Sequence, residues 1–175
     1  MVLALLLSET SLLHAQATTT ASRAGDLQFG AAYTLANSDY EQNYFRGFTA
    51  YVDFDLRAHL GLEAEFHQVS SPAGDQSFQR TYLIGPRYFR TYGLLIPYLK
   101  LMVGRGDFNY PFGHTDLAYN LYAGAIGTDC KFGPHLRLRA EYEIQSWSDF
   151  TNGSLTPQLI TVGAAYHFAG KPRYK

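Results

Sequence analysis

The chain has 175 residues, a formal net charge of −1 and a single cysteine. It therefore fits one domain, offers no basic surface for nucleic acid and forms no internal disulfide or cysteine-based metal cluster. Tyr (14), Phe (12) and Gly (16) are frequent; aromatic residues favour strands, and glycine suits turns, bulges and closely packed strand faces.

The N-terminal segment has features of a signal peptide. A short apolar run at residues 2–7 is followed at residues 15–17 by Ala-Gln-Ala, which has the small-x-small form of a cleavage site. The start lacks positive charge and Glu9 interrupts the apolar run, so a disordered leader is the alternative. We expect a signal peptide over residues 1–17 and a short leader over residues 18–25, and the run is too short for a spanning helix.

From residue 26 the chain divides into eight segments in which apolar residues alternate with polar or small ones. Alternation with a period of two predicts strands, and most segments have about the 9–11 residues that a tilted membrane-spanning strand needs. The segments are residues 26–36, 47–56, 61–69, 78–89, 96–104, 117–132, 137–147 and 158–168.

Two of these segments contain irregularities. Pro86 cannot donate a backbone hydrogen bond, so we expect a bulge or a non-hydrogen-bonded position there. In the first half of the sixth segment the apolar face contains odd-numbered residues such as Tyr119 and Leu121. In the second half it contains even-numbered residues, Ile126 and Cys130, so the alternation changes phase. A bulge near Gly124 would reconcile the two halves.

The connections between segments alternate in length. Those after the first, third, fifth and seventh segments are long and polar, whereas those after the second and sixth are tight and that after the fourth is intermediate. Long loops at one end and short turns at the other are typical of an up-and-down transmembrane barrel. The loops that would carry any binding specificity are residues 37–46, 70–78, 105–117 and 148–157.

The two faces of the segments differ in charge. One face carries Leu, Ile, Val, Phe, Ala and Tyr, and the opposite face collects charged side chains of both signs. A soluble lipocalin-like barrel would turn the apolar face inward around a ligand, whereas a membrane barrel would turn it towards lipid. The charged side chains are Asp53, Asp55, Glu63, Glu65, Arg87, Lys100, Arg137, Arg139, Glu141 and Glu143.

Three features favour the membrane arrangement. Charges of both signs can pair inside, where unpaired charge is very costly, and the last segment ends in the aromatic residues Tyr166 and Phe168. Aromatic residues also gather near segment ends, where the two girdles of a membrane barrel lie: Tyr40, Tyr44, Phe45, Tyr88, Phe89, Tyr92, Phe108, Tyr110, Phe112 and Trp147. We predict an all-β, eight-stranded antiparallel up-and-down transmembrane β-barrel whose polar interior is filled by side chains.

The chain resembles the small eight-stranded outer-membrane β-barrels, the OmpA-like transmembrane barrel group. The resemblance implies a barrel over residues 26–168 in a Gram-negative-type outer membrane, an assembly signal at Tyr166 and Phe168, and a periplasmic tail over residues 169–175. It also implies a monomer whose partners are outer-membrane lipids and the barrel-assembly machinery. The family usually ends near its terminal aromatic residue, whereas AGKPRYK follows here. The stretches that carry the resemblance are residues 81–89, 96–104, 122–132, 136–147 and 159–168.

The sequence contains no recognisable catalytic, cofactor or metal motif. None of its six histidines pairs at zinc-ligand spacing, and we expect isolated polar side chains, with His67 near the outer rim and His167 near the periplasmic rim. Some barrels of this kind modify lipid A and would need a histidine with a nucleophile or acid partner near the outer rim. The candidates are His114 with Asp116 and His67 with Ser70, neither of which is a recognisable triad.

We therefore predict an outer-membrane barrel with a structural or surface-interaction role, no open pore, no enzymatic activity and no cofactor. The alternatives are a lipid A-modifying enzyme and a soluble lipocalin-like ligand-binding barrel. Arg105-Gly106-Asp107, placed at the start of the third long loop, matches a cell-adhesion tripeptide, but so short a motif arises often by chance.

Overall fold

A computed structural model describes residues 26–39, 44–72, 77–109, 116–150 and 153–168. The predicted signal peptide, leader and tail lie outside these residues. The strands are β1 (Asp26–Asn37), β2 (Tyr44–Asp55), β3 (Leu60–Ser70), β4 (Phe78–Phe89), β5 (Leu95–Asn109), β6 (Asp116–Lys131), β7 (Leu136–Phe150), β8 (Gly153–Leu155) and β9 (Gln158–Phe168).

Eight long strands form a closed antiparallel barrel. Each long strand pairs with the next along the chain, β7 pairs with β9, and β9 pairs with β1 through pairs such as Ala31↔Ala164. The three-residue β8 pairs with β7, as a short extension of the wall. This confirms the predicted eight-stranded up-and-down barrel, and among the described residues no helix is long and apolar enough to cross a membrane.

Side chains alternate strictly between the inside and the outside of the barrel. In β5, for example, Leu99, Leu101 and Val103 are about half exposed on the outside, whereas Tyr98 and Lys100 are buried. The same alternation recurs in the other long strands. The apolar face is therefore the outer one, which is the opposite of the lipocalin-like alternative.

Strand β6 keeps a single phase, so the bulge predicted near Gly124 was wrong. Its registers with β5 and with β7 are both constant along the ladder. Tyr119 and Leu121 face inward and are buried, whereas Ile126 is 65 % exposed on the outside. The error arose because this part of the interior is lined by apolar side chains, so polarity alone did not show which face a residue occupies.

Pro86 causes no bulge either. The register of β4 with β5 is the same on both sides of it, at Ile84↔Val103 and at Arg87↔Lys100. Gly85 and Pro86 make no ladder pair with β5, although Pro86 still pairs with β3. The structure thus has the predicted non-hydrogen-bonded position and not the bulge, which fits a residue without an amide hydrogen.

The strands reach further into the long-loop end than predicted. Strand β5 runs to Asn109 and β6 begins at Asp116, so much of the loop assigned to residues 105–117 is strand. The Arg105-Gly106-Asp107 tripeptide pairs with both β4 and β6, and its placement in a loop was wrong. Likewise, β7 continues to Phe150 and β8 occupies part of the loop assigned to residues 148–157.

Only some of the predicted girdle residues face outward. Those that are exposed on the barrel are Tyr44, Tyr88 and Tyr92. Those that are instead buried in the interior are Phe45, Phe89, Phe108 and Trp147. Tyr40, Tyr110 and Phe112 lie outside the described residues. The inward residues share the parity of the charged face in their strands, and parity rather than closeness to a strand end decides their side.

Four inward aromatic residues close the long-loop end of the interior. Phe45, Phe108, Tyr119 and Trp147 belong to one buried apolar cluster. Gly106 makes room for it, because a Cβ at this position would overlap the Trp147 ring. An apolar plug therefore lies beneath the outer rim, above the charged layer.

Replacing Ala140 with Arg should destabilise the folded barrel by about 2–4 kcal/mol, because Ala140 lies on the outer face of β7, which faces lipid in a membrane barrel. Urea unfolding in lipid vesicles measures the loss. Ser146→Arg is the matched control, since Ser146 is on the same face of β7 but nearer the outer rim, where the cost falls to about 0–1 kcal/mol. Equal losses in the two variants would contradict the assigned outer face.

Candidate functional site: the interior charge network

The ten charged residues named from the sequence all project into the barrel. Asp53, Glu63, Glu65, Arg87, Lys100, Arg137, Arg139, Glu141 and Glu143 are buried, and Asp55 is half-buried. They reach the interior because each occupies the inward parity of its strand. They come from β2, β3, β4, β5 and β7. The layer of charged side chains therefore connects strands on opposite sides of the barrel.

Arg139 is the centre of this layer. Its guanidinium, carried by β7, donates from Nη2 to Asp53 Oδ2 at 2.6 Å and from Nη1 to Glu63 Oε1 at 2.8 Å. Its Nε donates to Asp129 Oδ1 at 2.8 Å. One side chain thus satisfies carboxylates from β2, β3 and β6, in the fixed fork geometry that suits arginine to buried ion pairs.

Arg87 supports the same carboxylates from β4. It forms an ion pair with Asp129, and its Nε lies 3.4 Å from Glu63 Oε2. Its Nη1 lies 3.6 Å from Asp53 Oδ2 and 3.8 Å from Asp55 Oδ1. Two arginines therefore share three buried carboxylates, which balances much of the charge that burial would otherwise penalise.

Lys100 forms a second centre, nearer the long-loop end. Its ammonium contacts Glu65, lies 2.7 Å from Glu63 Oε1 and lies 2.8 Å from Glu141 Oε2. Glu63 is thereby shared between Lys100 and Arg139. The two centres form one continuous network across the lumen.

Tyrosine rings pack against the cations. The Arg139 guanidinium lies 3.8 Å from the centre of the Tyr51 ring and 4.8 Å from that of Tyr98, and Arg87 lies 4.2 Å from that of Tyr98. The Tyr98 hydroxyl donates to Glu141 Oε2 at 2.6 Å. Such cation–π contacts gain strength where water is excluded.

Sequence reasoning missed two members of the network. Asp129 bonds to both arginines, and Gln28 donates to Asp53 Oδ2 at 2.6 Å. The assumed bulge in β6 concealed Asp129, since an unbroken alternation from Tyr119 and Leu121 reaches it with inward parity. Gln28 has the inward parity of β1, but it was not counted because it carries no charge.

The short-turn end of the interior is more open. A cavity of about 370 Å³ there is lined by both acidic and basic side chains, including Asp26, Asp55, Arg57, Lys131 and Arg137. Among the described residues, Arg137 makes a single long ion pair, 3.9 Å from Asp26. Of the three arginines predicted to lie in the interior, Arg137 therefore has the weakest ion pairing.

His67 is not the isolated polar side chain expected from the sequence. It is buried, and its Nδ1 lies 2.7 Å from Thr49 Oγ1. Its Nε2 lies 3.4 Å from Glu65 Oε2 and 3.7 Å from Glu143 Oε1. Glu143 is reached from β7 across the lumen, a proximity that no sequence spacing could reveal.

The order Thr49–His67–Glu65 is that of a nucleophile, a base and an acid. Thr49, however, is fully buried and His67 nearly so, so no substrate reaches the hydroxyl. Of the pairs named from the sequence, His67 with Ser70 does not form a site, because Ser70 is exposed on the outer face and His67 is buried inside. The pair of His114 with Asp116 stays a prediction, since His114 lies outside the described residues.

Two groups of three side chains have the composition to hold a metal ion: Glu65, His67 and Glu143, and Glu63, Glu65 and Glu141. Lys100 already contacts all three carboxylates of the second group. Only the group with His67 has its centre free of a described cation.

Comparisons with known proteins agree with this geometry. Residues 2–168 match the family described as outer membrane protein beta-barrel domain. None of the curated proteins matches the chain.

Several solved structures share the fold. Neisserial surface protein A (NspA) has a TM-score of 0.61 at 15 % identity, covering 83 % of this chain and 97 % of its own. OprG from Pseudomonas aeruginosa has a TM-score of 0.59 at 14 % identity, covering 84 % and 97 %. Ail of Yersinia pestis, in complex with the heparin analogue sucrose octasulfate, has a TM-score of 0.52 at 19 % identity, covering 82 % and 97 %.

Replacing Arg139 with Met should lower the free energy of unfolding by about 3–5 kcal/mol, because it leaves buried carboxylates without their shared cation. Urea unfolding in vesicles, followed by Trp147 fluorescence, measures the change. Arg137→Met is the matched control on the same strand and face. Because Arg137 makes only the 3.9 Å pair with Asp26, its loss should be about 1 kcal/mol or less. A control variant as unstable as Arg139→Met would show that the network is not centred on Arg139.

Proposed function

Because the chain belongs to the outer membrane protein beta-barrel domain family, we propose that it is a closed, monomeric barrel with a structural or surface-interaction role, not a pore or an enzyme. The barrel is the scaffold in this proposal. Any specificity lies in the segments at its long-loop end.

The observation that supports a blocked lumen is that charged side chains cross it. Arg139 reaches from β7 to carboxylates on β2 and β3, and Lys100 reaches from β5 to Glu141 on β7 and to β3. Each crossing joins strands that are not neighbours in the wall. An eight-stranded barrel is only wide enough for its own side chains, so a water-filled path would require these ion pairs to break.

The apolar plug adds a second barrier. Trp147 is 1 % exposed, and its Nε1 donates to Gln145 Oε1 at 2.9 Å, which fixes the ring over the charged layer. Gln145 in turn donates to Glu143 Oε1 at 2.7 Å. The plug and the charge network are therefore hydrogen-bonded to each other.

A surface role is supported by the distribution of charge at the long-loop end. Arg46 and Arg105 are exposed on the outer face of β2 and β5, and Arg80, half-buried on β4, lies against the Phe78 ring at 5.0 Å. These positions suit contact with anionic headgroups above the apolar band. The structure of Ail with a heparin analogue adds sulfated polysaccharide as the first soluble ligand class to test.

Reconstitution into planar bilayers should give no large steady conductance, because both the plug and the ion pairs block the lumen. Insertion is verified by the different gel mobility of boiled and unboiled samples in SDS. Trp147→Ala should also give no steady conductance, since the charge network stays in place. Steady conductance of the unaltered chain would show that the lumen is open and would contradict the proposal.

Barrels reconstituted in vesicles should bind heparin-coated beads if the surface role extends to sulfated polysaccharides. The triple variant Arg46→Gln, Arg80→Gln and Arg105→Gln removes the cations at this end of the barrel, and it should fold yet lose the binding. Retention by the unaltered barrel no greater than by this variant would exclude this ligand class.

A further inference from the structure

Glu65, His67 and Glu143 form a group that the ion-pair network does not use fully. Glu65 and His67 belong to β3 and Glu143 to β7, two strands on different sides of the lumen. One potential ligand atom from each lies within 4.8 Å of the others, and all three side chains are buried. We name these three residues the His67 triad.

The triad presents polar atoms that lack hydrogen-bond partners. Glu65 Oε2, His67 Nε2 and Glu143 Oε2 are buried and make no hydrogen bond within the described part of the chain. All three residues are at least nine-tenths buried. A buried polar atom left without a partner is costly, and two carboxylate oxygens with one imidazole nitrogen are a donor set that suits a divalent cation.

The histidine is oriented with one nitrogen towards the triad. Nδ1 lies 2.7 Å from Thr49 Oγ1, and Thr49 is tied to Thr34 and, through it, to Thr161. When Nδ1–H donates to Thr49, Nε2 carries the free electron pair that a metal ion binds. Metal-binding histidines usually donate their second ring nitrogen in this way.

The spacing fits a metal ion better than a shared proton. Zinc binds His nitrogen and carboxylate oxygen at roughly 2.0–2.2 Å, which places tetrahedral ligand atoms about 3.3–3.5 Å apart. His67 Nε2 lies 3.4 Å from Glu65 Oε2 and 3.7 Å from Glu143 Oε1, the Glu143 oxygen that also accepts a hydrogen bond from Gln145. An N–H···O hydrogen bond would instead close to roughly 2.7–3.2 Å.

The charge balance of the interior also favours a cation. Among the described residues, six Asp and Glu side chains but only four Lys and Arg side chains are buried. Lys100 compensates Glu65 through its other oxygen, and no described Lys or Arg forms an ion pair with Glu143. A dication at the triad would supply the two positive charges by which the buried bases fall short.

We propose that Glu65 Oε2, His67 Nε2 and a Glu143 carboxylate oxygen bind one divalent metal ion of the zinc type inside the barrel. The ion would join β3 to β7 across the lumen, above Lys100 and below the plug. Because the triad is buried, the ion enters as the barrel folds. Its role is to stabilise the fold, since substrate has no access to it.

The test is metal content after folding. The full chain is refolded from urea into detergent with ZnCl₂, washed with chelator and desalted, and zinc is counted by mass spectrometry. We expect one zinc per folded chain, with folding verified by the shift in gel mobility. His67→Gln and Glu143→Gln should lower the content at least tenfold. His167→Gln should keep one zinc, although it removes a histidine that lies 2.7 Å from Asp26 Oδ1.

X-ray absorption on the zinc-loaded, unaltered chain keeps the test independent of variants that fail to fold. It should show nitrogen and oxygen ligands and no sulfur. A folded chain without zinc, undiminished zinc in His67→Gln, or a sulfur ligand from Cys130 would each overturn the proposal.

Discussion

The ion pairs of Arg139 are the interaction on which the rest of the structure depends. Eight strands close around a lumen too narrow for bulk water, and the sequence places charged side chains in it. Such charges are tolerated only when they are paired and hydrogen-bonded. Arg139 meets this demand by bonding to carboxylates from three other strands. Because its partners are spread around the wall, the pairing also fixes the registers that bring those strands together.

The other parts of the interior are connected to the ion pairs of Arg139. Lys100 extends the network to Glu141, and Gln145 connects the neighbouring Glu143 to Trp147 in the apolar plug. The interior thus changes from an open rim at the short turns to paired charge and then to packed aromatic rings. The outer surface changes in parallel, from an apolar band to arginines near the long loops. This arrangement supports the proposed scaffold role, in which the barrel carries the segments at its long-loop end.

The fold could be predicted because alternation repeats in eight segments and the connections alternate in length. The faces of seven strands follow from parity alone. The failure in β6 has a physical cause: Tyr119 and Leu121 line an apolar part of the interior, so hydrophobicity ceased to indicate the lipid side. The same cause misplaced Phe45 and Trp147. Contacts across the lumen, such as that of His67 with Glu143, depend on the closure of the barrel, and no local pattern encodes them.

Trp147, the chain's only tryptophan, reports directly on whether the charged face points inward and the apolar face meets lipid. The decisive measurement is quenching of tryptophan fluorescence by brominated lipids. Quenching of the unaltered chain should be weak, because Trp147 is buried in the interior. Quenching should be strong once the tryptophan is moved to the outer face in Trp147→Phe/Ile144→Trp. Strong quenching of Trp147 and weak quenching at position 144 would show that the faces are inverted.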